Sequence, residues 1–354
     1  MKCITVIGSA ATNVSQLQPG KATRLFRILE EFGYSLTTSP HGDLLLAIDH
    51  NEKGFRRFID SGGDSSKTVL VRLEPESVFP SQYRSSTERK YSKVFSPGRV
   101  PFGLAKEIEF GWPYEYHLNP NLPRATDPKL ESLLSNNHDL ETDKYSSWLN
   151  RSIKVSMVAA NKVSPSHSHN YSIRRNLAKE LPKDVLHVYG ALWNDSLYAK
   201  IRHRGAVAAF SLRQCYFPNI HSIYGNLFRT YSTAHGPIPN KHEKLLASQF
   251  SLVIENSDSY ISEKLFDAIV DGSVPIYVGP ELSKLGLPDD IAIASTGDPT
   301  EILQIISSIG KNEVERILDQ GKKFLDSQLF KSKWTEIGVY TSLGLILSNI
   351  LEDS

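Results

Sequence analysis

Short apolar runs alternate with stretches of helical periodicity from the start of the chain. Cys3–Gly8 (CITVIG) reads as a buried strand, Ala22–Phe32 places apolar residues at helical spacing and stops at Gly33, and Leu44–Ile48 is again continuously apolar. A helix over Lys53–Ile59 and the β-branched run Thr68–Leu73 extend the series. Strands alternating with helices in this way predict a parallel sheet, so the chain as far as the neighbourhood of Glu115 forms one α/β unit.

From Leu118 to Asp143 the periodicity lapses into a stretch rich in proline, asparagine and acidic residues, which reads as a linker or long surface loop. Beyond it the pattern restarts: Ser152–Ala160 as a strand, Ser172–Leu181 as a helix, Asp184–Tyr189 as a strand ending at Gly190. Phe250–Glu255 (strand), Ser262–Val270 (helix) and Val274–Val278 (strand) follow, closed by a Gly279-Pro280 turn. The expected fold class is α/β with two Rossmann-like lobes: residues 1–150 with the linker, 151–330, and a terminal helix over 331–354 packing across the lobes. Ligands of such sheets bind at the carboxyl ends of the strands, here in the cleft between lobes.

The 354 residues carry 40 Lys and Arg against 39 Asp and Glu, so no overall field attracts nucleic acid or an acidic membrane, and any anion must be bound locally. Two cysteines, Cys3 and Cys215, are too few and too far apart for a disulfide framework or a zinc site. With no secretory h-region in the first strand, a cytoplasmic protein is expected. The apolar run Ile337–Leu351 is broken by Thr341, Ser342, Ser348 and Asn349 and falls short of a spanning helix. It reads as a packed terminal helix, with peripheral membrane contact as the alternative.

Residues 251–280, SLVIENSDSYISEKLFDAIVDGSVPIYVGP, gather polar groups at a strand-to-helix junction, where main-chain N–H groups favour an anion. Ser262 is placed to cap the helix, with Glu263 and Lys264 in its first turn. A lysine opposes the helix dipole there, which points to a bound phosphate.

The longer string KHEKLLASQFSLVIENSDSYISEKLFDAIVDGSVPIYVGP (241–280) resembles the donor-binding signature of the α-1,3/4-fucosyltransferase family, glycosyltransferase family 10. There a Phe/Tyr-Glu-Asn strand end leads to Tyr-(Ile/Val)-(Thr/Ser)-Glu-Lys, then to Gly-x-(Val/Ile)-Pro and a second strand. Upstream, residues 155–193 (VSMVAANKVSPSHSHNYSIRRNLAKELPKDVLHVYGALW) look like the family's strand, arginine-bearing helix and Tyr-Gly strand end. VLVRLEPESVFPSQY (69–83) with YSKVFSPG (91–98) looks like the segment that carries a catalytic glutamate.

The resemblance implies an inverting, GT-B-type transferase that uses GDP-L-fucose as nucleotide sugar and leaves fucose α-linked on a glycan or lipid-linked oligosaccharide acceptor. Inverting transfer needs a base for the acceptor proton and positive charge for the departing diphosphate. Glu74 is the candidate base, with Glu76 as its rival two residues on. Arg174 matches the family arginine, and its guanidinium can fork onto phosphate oxygens, although adjacent Arg175 could do the same. By similarity Lys264 holds the diphosphate as a point charge, Glu263 accepts from ribose hydroxyls, and Asn256 and Tyr260 complete the donor pocket.

One departure bears on the donor: only Ser257, Asp258 and Ser259 separate Asn256 from Tyr260, a shorter loop than the family's usual one. This leaves room for a different nucleotide sugar, or for a catalytically silent carbohydrate-binding protein of the same fold. No Asp-x-Asp metal site is evident, and cationic side chains can replace Mg²⁺ at a diphosphate, so a metal is not required, though one could stimulate. His167 and His169 have metal-like spacing without an acidic partner nearby. Arg202-His203-Arg204 is a short basic cluster that reads as solvated surface or as the phosphate end of a cleft, and Trp112-Pro113-Tyr114 as a sugar platform or core.

Overall fold

The computed structural model describes residues 2–11, 14, 23–99, 110–114, 144–166, 169–213, 217 and 223–352. The expected linker Leu118–Asp143, together with His167 and Cys215, lies outside the described residues. The chain divides into two compact units, Met1–Ala125 with Gln328–Ser354, and Thr126–Ser327.

Unit 1 holds five parallel strands: β1 (Cys3–Gly8), β2 (Ser35–Thr37), β3 (Leu44–Ile48), β4 (Thr68–Val71) and β5 (Lys93–Phe95), in the order β2-β1-β3-β4-β5. Every residue of β3 is fully buried, as a central parallel strand with both faces covered must be. One face is covered by the helix Thr23–Glu31 and the terminal helix Glu336–Glu352, whose Leu25, Leu29, Val339, Leu343 and Leu347 share a core. Burying each of these stabilises the unit by about 1.5–3 kcal/mol. The terminal helix tolerates serines within its apolar run because Ser342 and Ser348 donate back to the carbonyls of Gly338 and Gly344, at 2.9 and 3.1 Å. The opposite face packs on the helix Glu52–Asp60 through Phe58. Strand order reverses between β1 and β3, and there Gly8 (φ +95°) lets the two strand ends meet. A Cβ on Gly8 would fall 2.0 Å from the Ile48 carbonyl oxygen.

Unit 2 holds six parallel strands: β6 (Ile153–Val158), β7 (Leu186–Tyr189), β8 (Ala234–Gly236), β9 (Ser248–Ile254), β10 (Val274–Val278) and β11 (Ile293–Ala294). Their order, β11-β10-β9-β6-β7-β8, is the doubly wound one, with its switch point between β6 and β9. The helix Tyr171–Glu180 follows β6 and Lys264–Val270 follows β9, so the segments with the family signature converge on that switch point. The helix Leu197–Arg213 was not foreseen from the sequence. Among the described residues, no helix of either unit is long and apolar enough to cross a membrane.

Candidate active site

At the switch point of unit 2, the residue after β9 is Glu255, fully buried. Its N–H donates to the carbonyl of Val278 at 2.8 Å, continuing the β9–β10 register, so its position is set by the sheet. Its carboxylate accepts from the Ser262 N–H (3.1 Å), the Ser262 hydroxyl (2.8 Å) and the Lys264 ammonium (3.1 Å). Lys264 also donates to Ser262 Oγ at 2.6 Å. Ser262 therefore does not cap the helix as its sequence position predicts. A buried carboxylate is the stronger partner, and the helix begins at Lys264 with no side-chain cap. Gly279 keeps this corner open, since a Cβ there would lie 2.6 Å from Tyr277 Oη and 3.0 Å from Glu255 Cγ.

Arg174 approaches from the helix Tyr171–Glu180 and is only 3% exposed. Its Nη2 donates to the carbonyl of Ile254 (2.6 Å) and to Asn256 Oδ1 (2.9 Å), while its buried Nε has no partner. Burial pushes this guanidinium's pKa down, against the pull of Tyr171, Glu255 and Glu263. The short loop after Asn256 is tied at both ends. The Asn256 carbonyl accepts from the Asn170 N–H at 3.0 Å, Asn170 Nδ2 donates to Asp258 at 2.6 Å, and Ser257 bridges to buried Tyr260. Burial would raise the Glu263 carboxyl, but Lys264 and Lys241 hold it below its ordinary range. Arg174 with Asn256, and Glu255 with Lys264, thus form two hydrogen-bonded sets on consecutive residues of one strand end. Arg175 leaves it: its Nη1 donates to the Lys162 carbonyl at 3.2 Å. Behind the helix Lys264–Val270, Lys241 pairs with Asp267 and His242 with Asp271.

In unit 1, Glu74 is half-buried just beyond β4. Its N–H and that of Leu73 both donate to Asp49 Oδ1 at 2.9 Å, and its carbonyl accepts from Gln82 Nε2 (2.8 Å) and Tyr83 Oη (2.9 Å). Asp49, 1% exposed and with φ +58°, also accepts from Ser9 Oγ at 2.7 Å. It is the residue that sequence reasoning missed. The available signal was an acid placed directly after the wholly apolar β3. Glu76 has different surroundings: it lies within electrostatic reach of Arg99 and Tyr83, whose ring carries the Arg99 guanidinium 4.4 Å above it. A cavity of about 260 Å³ opens beside β1, lined by Thr5, Ile7, Thr38, Asn51, Lys53 and Arg57.

The remaining candidates fall elsewhere. Tyr114 is buried against Phe330, its N–H donating to the Trp334 carbonyl and its own carbonyl accepting from Glu336. His169 stacks on Tyr171. Within Arg202-His203-Arg204, Arg202 is exposed whereas Arg204 is 3% exposed.

No family model matches the chain. Over 99 residues it is 33% identical to 4-galactosyl-N-acetylglucosaminide 3-alpha-L-fucosyltransferase 9 of Bos taurus, a match spanning 26% of each chain, so it accounts for about a quarter of that relative's length. Among solved structures it resembles an α1,3-fucosyltransferase with GDP (TM-score 0.56, 15% identity, 99% of this chain and 90% of that one). It also resembles Anabaena HepE in complex with UDP and glucose (TM-score 0.54, 11% identity, 99% and 100%). The fold is GT-B, built from two parallel-sheet α/β domains. The sequence resemblance to α-1,3/4-fucosyltransferases is met by a separate match to a member of that group and by the same architecture.

Proposed function

We propose that this chain is an inverting glycosyltransferase that moves L-fucose from GDP-fucose to a hydroxyl of a glycan or lipid-linked oligosaccharide. The observation that carries this reading is the corner at the β6/β9 switch point, where a buried arginine with an unpartnered Nε and a lysine meet around one strand end. A buried guanidinium with spare donors is costly unless an anion completes it, and this is the position at which doubly wound sheets bind phosphates.

In the proposed reaction, Arg174 and Lys264 hold the diphosphate, Glu263 accepts from the ribose hydroxyls, and Asn256 and Tyr260 shape the pocket. Lys264 enters already oriented by Glu255 and Ser262, so little reorganisation is needed to place its charge. Glu74 takes the acceptor's hydroxyl proton as that oxygen attacks the anomeric carbon. The bond to the β-phosphate oxygen breaks, and GDP leaves with its new charge on the two cations. The surroundings favour Glu74 over Glu76: a base must give up its charge during turnover, and Glu76 serves Arg99 as a neighbouring counter-charge. The cations supply the role Mg²⁺ plays at other diphosphates, so the proposal requires no metal and allows stimulation by one. The proposal assigns acceptor recognition to residues of unit 1. A cytoplasmic setting belongs to the proposal and rests on the low cysteine content.

The short, tied Asn256–Tyr260 loop favours a second reading, in which a different nucleotide sugar is the donor. Thermal midpoints against GDP, UDP, CMP and their sugars separate the two, because a ligand bound only by the native state raises the midpoint. The expected result is a selective rise with GDP and GDP-fucose, lost in Lys264→Ala. A selective response to UDP keeps the transferase and discards fucose. Silence toward every nucleotide leaves a carbohydrate-binding protein without turnover.

A further inference from the structure

The helix Leu197–Arg213 is inverted relative to an ordinary amphipathic helix. It buries Lys200, Arg204 and Ser211, while Tyr198, Ile201 and Leu212 are 74, 45 and 55% exposed. Lys200 and Arg204 are four residues apart and so project from one face. Among the described residues, Arg204 makes a single hydrogen bond, from Nη1 to the Gly225 carbonyl at 2.8 Å, and Lys200 a single one, to the Arg229 carbonyl at 3.2 Å. Arg175, 9% exposed on the helix Tyr171–Glu180, likewise reaches only the Lys162 carbonyl among the described residues. Among the described residues none of the three is ion-paired with a carboxylate. Asp195 acts on Lys200 only at longer range, and its Oδ2 accepts from the Leu192 N–H.

Tyr231 is 2% exposed, its ring set edge-on to Trp193 at 5.0 Å. Its hydroxyl is buried without a partner and feels the charges of Arg175, Arg229 and Arg204. Burial lowers the pKa of Arg204, Lys200 and Arg175 alike, and the neighbouring Arg204 adds to the effect at the other two. Cations withdrawn from water toward one another, around an idle hydroxyl, form an arrangement that only an anion balances.

We propose that Arg175, Lys200, Arg204 and the Tyr231 hydroxyl form an oxyanion site for a phosphate group, separate from the Arg174 and Lys264 corner. Two guanidinium groups, an ammonium and a hydroxyl carry more donors than a carboxylate's two oxygens use, which suits a phosphate dianion. The phosphate belongs either to the bound nucleotide or to a second phosphorylated compound. The inference does not rest on fucosyl transfer, since the site stands on its own residues.

The test uses the full-length protein, inorganic phosphate as probe, and calorimetry with thermal midpoints as readouts. Tyr231→Phe keeps the packed ring and removes only the idle hydroxyl, so it folds as the parent does. Phosphate should bind the wild type saturably, and bind Arg204→Gln about tenfold or more weakly and Tyr231→Phe several-fold more weakly. A phosphate response that survives saturating GDP identifies a separate phosphorylated ligand. One that GDP competes away, with GDP binding weakened in Tyr231→Phe, identifies a phosphate of the nucleotide. Absence of phosphate binding by the wild type, or binding by both variants as tight as the wild type's, overturns the site. Fucosyl transfer can fail with this response intact, and the response can fail with transfer intact.

Discussion

The carboxylate of Asp49 holds the main chain at Glu74: Oδ1 accepts from the Glu74 N–H at 2.9 Å and from the neighbouring Leu73 N–H at the same distance. The end of β3 thereby fixes the turn that leaves β4, and with it the origin of the proposed base. Asp49→Ala leaves two main-chain donors without an acceptor and puts alanine at φ +58°, so it should cost about 3 kcal/mol. Asp49→Asn keeps the accepting oxygen and tolerates the left-handed backbone, and should cost under about 1 kcal/mol. Urea denaturation of both variants decides the point, and equal losses would count against the clamp. If the clamp also positions the base, Asp49→Ala lowers kcat more than it raises KM for the acceptor.

Glu74→Gln and Glu76→Gln separate the two acids. Removing a general base costs on the order of 10²–10⁴ in turnover, whereas removing the neighbour of Arg99 should change it by less than about tenfold. GDP binding by Glu74→Gln should match the wild type, because the residue lies in unit 1 and the residues proposed to hold the nucleotide in unit 2. A normal rate in Glu74→Gln with a collapsed one in Glu76→Gln reverses the assignment.

What the sequence made legible follows from the physics of buried parallel strands. β3 and β10 read as nearly unbroken apolar runs because both faces of each are covered, and the polar residues after β9 announce a strand end at the switch point. Three-residue strands such as Ser35–Thr37 and Ala234–Gly236 are too short to show a period. The helix Leu197–Arg213 escaped notice because its inward face is cationic and its apolar residues point to solvent, the reverse of the usual signal. Ser262 matched a helix cap, but capping is a local preference. Nothing in the local sequence says that Glu255, seven residues earlier, will claim the hydroxyl. Asp49 was hidden for the same reason, since its partners lie more than twenty residues away.

Lys264 is the countercharge of fully buried Glu255, which gives its removal two separable effects. Lys264→Ala should cost about 3 kcal/mol of stability, because the carboxylate is left buried and unpaired, and should also weaken GDP binding. In the double variant Lys264→Ala with Glu255→Gln, the amide oxygen still accepts from the Ser262 N–H and no charge is stranded. Stability should recover by more than half while GDP binding stays weak. Recovery of both together would mean that Lys264 acts on the nucleotide only through the fold.

The pair His242 and Asp271, 2.8 Å apart behind the helix Lys264–Val270, makes stability depend on pH with a definite sign. Burial alone would lower the imidazole, but the hydrogen bond and charge of Asp271 raise it above its ordinary 6.5. Burial pushes the Asp271 carboxyl up to about 6, with His242 opposing, and leaves its Oδ1 without a partner. Both groups hold their protons more tightly folded than unfolded. The folded state therefore binds more protons from the ordinary carboxylate range up past 6.5, and the pair's contribution falls as pH rises through that window. Lys241 and Asp267 also face the pair, the lysine opposing the charge on His242 and the aspartate supporting it. Asp271→Asn reverses the trend, since His242 is then buried beside a neutral amide and loses its proton more easily than in the unfolded chain. The stability of the wild type relative to Asp271→Asn should accordingly drop by on the order of 2 kcal/mol between about pH 5 and pH 8. Urea midpoints of the two proteins across that range measure it directly. A gap that stays level or widens toward pH 8 would show that the imidazole is neutral in the native state.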